Sequence, residues 1–192
     1  MKINIGMSAN TLERAYKLLK HINGGFEHAV AMAVNRTLEG ARTDAVRETA
    51  GRYFVKSGEV RKTIKINKAS SGNLGGSMVS RGGRRKLSQY QLTPKTPQAG
   101  RNKTFKGAVK RDGGLKPLPR GTFMMDTPTA GLLLFVRTAK GRSWKNIKHV
   151  HSPSIPQIIK NGETLLFVIT RAQERFSKRL DHEVMRMLKV LR

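Results

Sequence analysis

Cysteine is absent from the 192-residue chain, which excludes a disulfide framework, a thiolate nucleophile and thiolate-ligated zinc. Acids are scarce, with 12 Asp and Glu against 38 Lys and Arg, for a formal net charge of +26. Aromatic residues make up only 6%. Long apolar runs are missing too. A membrane-spanning helix needs about 18 or more consecutive apolar residues, and runs such as Leu132–Val136 are far shorter. The first thirty residues carry Glu13 and Glu27 and no apolar signal core, so the expectation is folding in the cytoplasm.

The shortage of acids also limits chemistry. Carboxylate catalysis needs at least two convergent acids, and nucleophilic catalysis needs a base beside the nucleophile. No Gly-x-Ser-x-Gly elbow, phosphate loop or His-Glu-x-x-His motif occurs. A two-metal nuclease would have only Asp112 and Asp126 within the basic part of the chain. His149 and His151 stand two apart, the start of a metal site with no evident third ligand, while His21, His28 and His182 have no ligand spacing. No metal, cofactor or enzymatic activity is expected.

What is present is basic charge, unevenly placed. Residues 1–59 carry nine cations and six acids, residues 163–192 seven and four, and residues 60–162 carry 22 cations against two acids. The middle therefore supplies 22 − 2 = +20 of the +26. Like charges at that density repel, which implies a polyanionic partner, either phosphate or an acidic protein surface. The candidate contact residues are Arg81, Arg84, Arg85, Lys86, Arg101, Lys103, Lys106, Lys110 and Arg111. Trp144, between Arg142 and Lys145, has the setting of a base-stacking ring. Tyr90 and Phe105 read as apolar anchors of an otherwise polar segment.

The periodicity predicts an α+β fold, with long N-terminal and C-terminal helices packed on a central antiparallel β-sheet that carries long basic loops. One domain is expected over residues 1–192, comprising a helical part (1–59), a basic β-rich middle (60–151) and a helical end (152–192). Ser8 or Asn10 suits a cap for a first helix through Ile22, and Gly24-Gly25 breaks it. From Phe26, Val30, Ala33, Val34, Leu38, Ala41, Ala45, Val46, Ala50 and Tyr53 trace one stripe lined by small residues, the mark of a close-packed face. Ser57 suits a cap for one short turn. Thr63–Ile66 and Leu74–Ser80 read as a hairpin, Leu87–Leu92 and Thr104–Arg111 as short strands, and Gly131–Arg137 as a buried strand paired with Ile147–Val150. Ser152-Pro153 suits a cap before a short helix at Ile155–Ile159. A final stripe runs through Leu165, Ile169, Ala172, Phe176, Leu180, Val184, Met187 or Leu188, and Leu191.

The segment Ala31-Met-Ala-Val-Asn-Arg-Thr-Leu38, continuing through Ala41-Arg42, Val46-Arg47-Glu48-Thr49 and Tyr53 to Val60-Arg-Lys-Thr-Ile-Lys65, resembles the prophage minor tail protein Z family of tailed bacteriophages. So do Asn73-Leu74, Ser80-Arg81-Gly82, Phe105–Lys110, Pro119–Met124, Phe135-Val-Arg137 and Ser152–Gln157, in that order, over about residues 26–190. The resemblance implies a non-enzymatic virion protein, folded in the bacterial cytoplasm, that completes the tail at its head-proximal end. Its implied partners are the tail terminator, tube or connector proteins of the tail and neck, further copies of itself in a ring, and genomic DNA, with no membrane. A channel through which DNA slides should not grip phosphates hard. Most basic loops are therefore expected to meet acidic protein faces, with Arg84, Arg85 and Lys86 toward DNA. The alternative reading is a stand-alone basic nucleic-acid-binding protein.

Overall fold

The computed structural model describes residues 1–4, 9–97, 104–141 and 143–190. The chain runs β1 (Lys2–Asn4), α1 (Ala9–Leu19), α2 (Gly25–Arg52), α3 (Ser57–Thr63), β2 (Ile64–Asn67), β3 (Ser77–Ser80), β4 (Arg85–Lys86), β5 (Gln91–Thr93), β6 (Lys106–Ala108), β7 (Lys116–Pro117), β8 (Thr122–Thr127), β9 (Gly131–Arg137), β10 (Ile147–His149), β11 (His151–Ser152), α4 (Ile155–Ile159) and α5 (Gly162–Val190). The fold is α+β, as the periodicity predicts. Ser8 and Leu191, given roles above, lie outside the described residues.

Helix α2 begins after Gly24, whose φ of 66° is a left-handed conformation that glycine reaches without a Cβ penalty. Its buried residues include Val30, Ala33, Val34, Leu38, Ala41 and Ala45. Those small side chains let α5 lie close alongside, and α5 returns Val168, Ala172, Phe176, Leu180 and Val184, all buried. The two helices run antiparallel. Arg52 at the end of α2 pairs with Glu163 at the start of α5, and Asp44 pairs with Arg175 at 2.8 Å. Thr37 and Thr49, absent from the expected stripe, are also fully buried on α2.

The β structure is divided among four small antiparallel sheets among the described residues, ordered β1-β3-β2, β10-β9-β8, β11-β4 and β5-β6-β7, and not gathered into one. The cause is local. The described residues within 81–121 form extended stretches of only two or three residues, interrupted by glycine and by prolines that cannot donate to a ladder. The first sheet completes the main core: Ile3 and Met78 meet Leu38 and Ala41 of α2 and Val168 and Ala172 of α5. A second, smaller cluster holds Leu87, Leu92, Phe105, Met124 and Leu134.

Several expectations are corrected. Leu87–Leu92 is not one strand, because a 3-10 turn at Leu87–Gln89 separates β4 from β5. That turn brings Leu87, Tyr90 and Leu92 all inward, which strict strand alternation would forbid. The cap of α4 is Ser154, two residues later than expected. It accepts from the Gln157 backbone while the Gln157 side chain reaches back to it, and Pro156 sits in the first turn. Ser152 lies instead in β11, its hydroxyl donating to the Arg85 carbonyl at 2.7 Å. β9 is the centre of its sheet, as expected, and pairs with β10. Only Leu134 in it is fully buried; Leu132 and Val136 on the same face, and Leu133 and Phe135 on the other, are partly exposed.

Candidate functional site

The basic middle is tied to the helical part at the end of α2. Tyr53 bridges to Lys110, Phe54 donates its N–H to the Val109 carbonyl at 3.0 Å, and Arg111 donates to the Arg52 carbonyl at 2.9 Å. The Arg111 guanidinium stacks 4.8 Å from the Phe54 ring centroid and donates from Nε to the Ala50 carbonyl at 3.1 Å. On the opposite side of this junction Arg85 pairs with Glu59 and lies 5.6 Å from the Tyr90 ring. A groove of about 810 Å³ opens between them, lined by Lys56, Arg85, Lys95 and Arg111 with Glu59 as its one acid. Burial pushes the Tyr90 phenol above its ordinary pKa, with the nearby Arg85 opposing, and its hydroxyl donates to the Pro153 carbonyl at 3.1 Å. Tyr90 and Phe105 are both buried, as anchors should be.

The candidate contact residues separate into three groups. Arg81, Arg84, Lys106 and Lys110 are exposed. Arg85, Lys86 and Arg111 have partners within the chain, Lys86 donating from Nζ to the Ala130 carbonyl. Arg101 and Lys103 lie outside the described residues, as does Arg142 beside Trp144. Sequence reasoning missed Lys56 and Lys95 in the groove, since Lys56 belongs to the nearly balanced N-terminal part and only the fold brings it to Lys95. It also missed a second cationic furrow along α5, of about 350 Å³, lined by Arg171, Arg175, Lys178 and Arg179 with Glu174 and His182. Their spacing of three and four on a predicted helix is the signal that would find it.

Ion pairs concentrate on the helices: Glu13–Lys17, Glu39–Arg42, Glu48–Arg52, Arg52–Glu163, Asp44–Arg175 and Glu183–Arg186. Of the cations in residues 60–162, Arg85 alone pairs with a carboxylate among the described residues.

The open face of the β8-β9-β10 sheet carries the remaining aromatic residues. The register sets Phe123 opposite Phe135 and Phe135 opposite His149, one row across three strands. Phe123 and Phe135 stack with centroids 5.8 Å apart, and His149 meets Phe135 edge-on at 5.5 Å. Trp144 lies 6.4 Å from Phe135, and His151 continues the row 4.1 Å from His149. His149 and His151 approach to 2.9 Å between Nδ1 atoms. No group of three metal-ligating side chains occurs among the described residues.

Partial burial, then His151, then Lys86 hold His149 below its ordinary pKa of 6.5. The folded protein therefore binds fewer protons at this site than the unfolded chain, and the site's stability contribution is present above pH 6.5 and lost as pH falls below it. Melting temperatures measured from pH 7.5 down to pH 5 should fall less steeply for His149→Gln than for the parent. Equal slopes would remove this site as a contributor.

The profile of a known protein family, described as prophage minor tail protein Z, matches residues 10–192. The chain belongs to that family. As a phage minor tail protein it has a structural role in the virion tail, among other tail proteins. No curated protein and no solved structure gives a significant match. In this minor tail protein the segment Ala31–Leu38, which carries the sequence resemblance, has a structural task. The Asn35 amide donates to the Ala69 carbonyl at 2.9 Å and accepts from the Ala69 N–H at 2.8 Å, fastening the β2–β3 connection to α2.

Proposed function

We propose that this minor tail protein completes the tail at its head-proximal end, beside the terminator ring and neck, as one subunit of a homo-oligomeric ring. The observation that supports this reading is the uncompensated centre: the helices carry nearly all the acids and pair most of them within the chain, whereas the middle leaves nearly all of its cations without a carboxylate among the described residues. Such a charge density is stabilised when neighbours supply the counter-charge, and a ring places many copies against the same neighbours.

Arg81, Arg84, Lys106 and Lys110 face outward and are the groups available to acidic faces of adjoining tail proteins or to genomic DNA, with Arg101 and Lys103 in the same basic run. Arg85, Lys86 and Arg111 serve first to hold the basic segments on the helical part. Phage lacking this gene should build tails of normal length yet yield particles that fail to infect, and labelled protein should lie at the head-proximal end of purified virions. Normal infectivity without the gene, or label at the distal tip, would overturn the reading.

A further inference from the structure

One face of the β8-β9-β10 sheet is covered, with Met124 and Leu134 pointing into the second cluster. On the opposite face the apolar side chains are only partly buried among the described residues. By strand alternation that face carries Phe123 and Met125 from β8, Leu133, Phe135 and Arg137 from β9, and Ile147 and His149 from β10. Trp144 stands over it at 68% exposure, the most exposed large apolar side chain among those described. A partly exposed apolar surface of this kind, topped by an exposed tryptophan, marks an interaction site.

Its chemistry narrows the occupant. The Arg137 guanidinium lies 5.3 Å from the Phe123 ring, Arg120, Lys140 and Lys145 are exposed around the sheet, and residues 127–162 contain no acid. A second copy would bring the same cations against these and be repelled. The occupant must be an anion that also presents flat π surfaces. Bases of a duplex are stacked on one another and closed to a protein ring, whereas unpaired bases stack on exposed aromatic rings while cations take the phosphates. Neighbouring rings here are 4.1–6.4 Å apart, each longer than the rise of about 3.4 Å per nucleotide in a duplex, which suits an extended strand.

We propose that this face binds unpaired nucleotides of single-stranded nucleic acid, with Trp144 stacking on a base, Phe123, Phe135, His149 and His151 forming the floor, and Arg137, Lys140 and Lys145 meeting phosphates. The assignment rests on the sheet itself and does not depend on where in the tail the protein sits.

Trp144 is the chain's one tryptophan, so its fluorescence reports directly on this face. The full chain is titrated with oligothymidylate of about twelve nucleotides, within the range of known single-strand sites, and in parallel with a duplex of equal length, inorganic polyphosphate, polyglutamate and anionic lipid vesicles. Oligothymidylate should bind most tightly and quench Trp144. By anisotropy of the labelled oligonucleotide, Trp144→Ala should weaken binding about tenfold, with an unchanged circular dichroism spectrum, and Trp144→Phe should retain most of the affinity. Binding of duplex or polyphosphate as tight as that of the single strand, or an unchanged affinity in Trp144→Ala, would overturn the proposal. Tighter binding of polyglutamate or vesicles would overturn it in favour of an acidic protein or a membrane surface.

Discussion

Replacing Phe176 by Ala should lower the unfolding free energy by about 3–5 kcal/mol, the range for removing a buried aromatic ring from a packed core. Phe176 is 2% exposed, one turn beyond Ala172, at the place where α5 closes on α2. The ring belongs to the same buried cluster as the alanines of α2, and its loss creates a cavity that two long antiparallel helices cannot collapse without shifting along their length. Urea unfolding followed by circular dichroism gives the difference. Leu166→Ala on the same helix is the control, because Leu166 is largely exposed and its truncation should change stability by no more than about 0.5 kcal/mol. Similar losses for the two variants would show that the α2–α5 contact is not the main stabilising interface.

The second large effect concerns an added atom. Gly76 precedes β3, where the first sheet presses on α2, and a Cβ there would lie 2.6 Å from Leu38 Cδ1 and 2.7 Å from Val34 Cγ1. Both neighbours are buried, so neither side chain can swing clear. Gly76→Ala should therefore destabilise by about 1–3 kcal/mol through overpacking. Gly72→Ala, in the same connection but with nothing within 4 Å, should be nearly neutral. Combining Gly76→Ala with Leu38→Val, which withdraws the nearest methyl group, should recover part of the loss in a double-mutant cycle. Strict additivity of the two changes would mean that the clash is relieved elsewhere.

Much of the helical part is legible before any coordinates. A 3.6-residue stripe of small apolar residues reports a close-packed helix face, and α2 and α5 span nearly the expected residues, although the start of α5 buries Thr164 and Val168 where the stripe names Leu165 and Ile169. Thr37 and Thr49 escape that reading because a hydroxyl-bearing side chain looks polar in sequence, although its methyl group packs like that of valine. Strands β1 and β8 were not expected as strands. β1 has only three residues and exists through its pairing with β3, which lies over seventy positions away. β8 gains its partner from β9, across the tight connection at Pro128–Ala130 where Gly131 takes a φ of 62°.

The candidate site was legible in charge and illegible in arrangement. Counting residues locates the cations in the middle of the chain, but it cannot separate Arg84, which faces solvent, from Arg85, which is held by Glu59 and Tyr90. Adjacent residues on an extended segment point to opposite sides, and which side is the interior depends on what packs there.

By itself the sequence determined the class of fold, the family resemblance, the want of catalytic motifs and the location of the positive field, since these follow from composition, local periodicity and local motifs. The tertiary structure alone decided that the strands form four small sheets, that Lys56 and Lys95 share a groove with Arg85 and Arg111, and that five scattered rings line one open face. Those are contacts between residues far apart in the chain, and no local spacing encodes them.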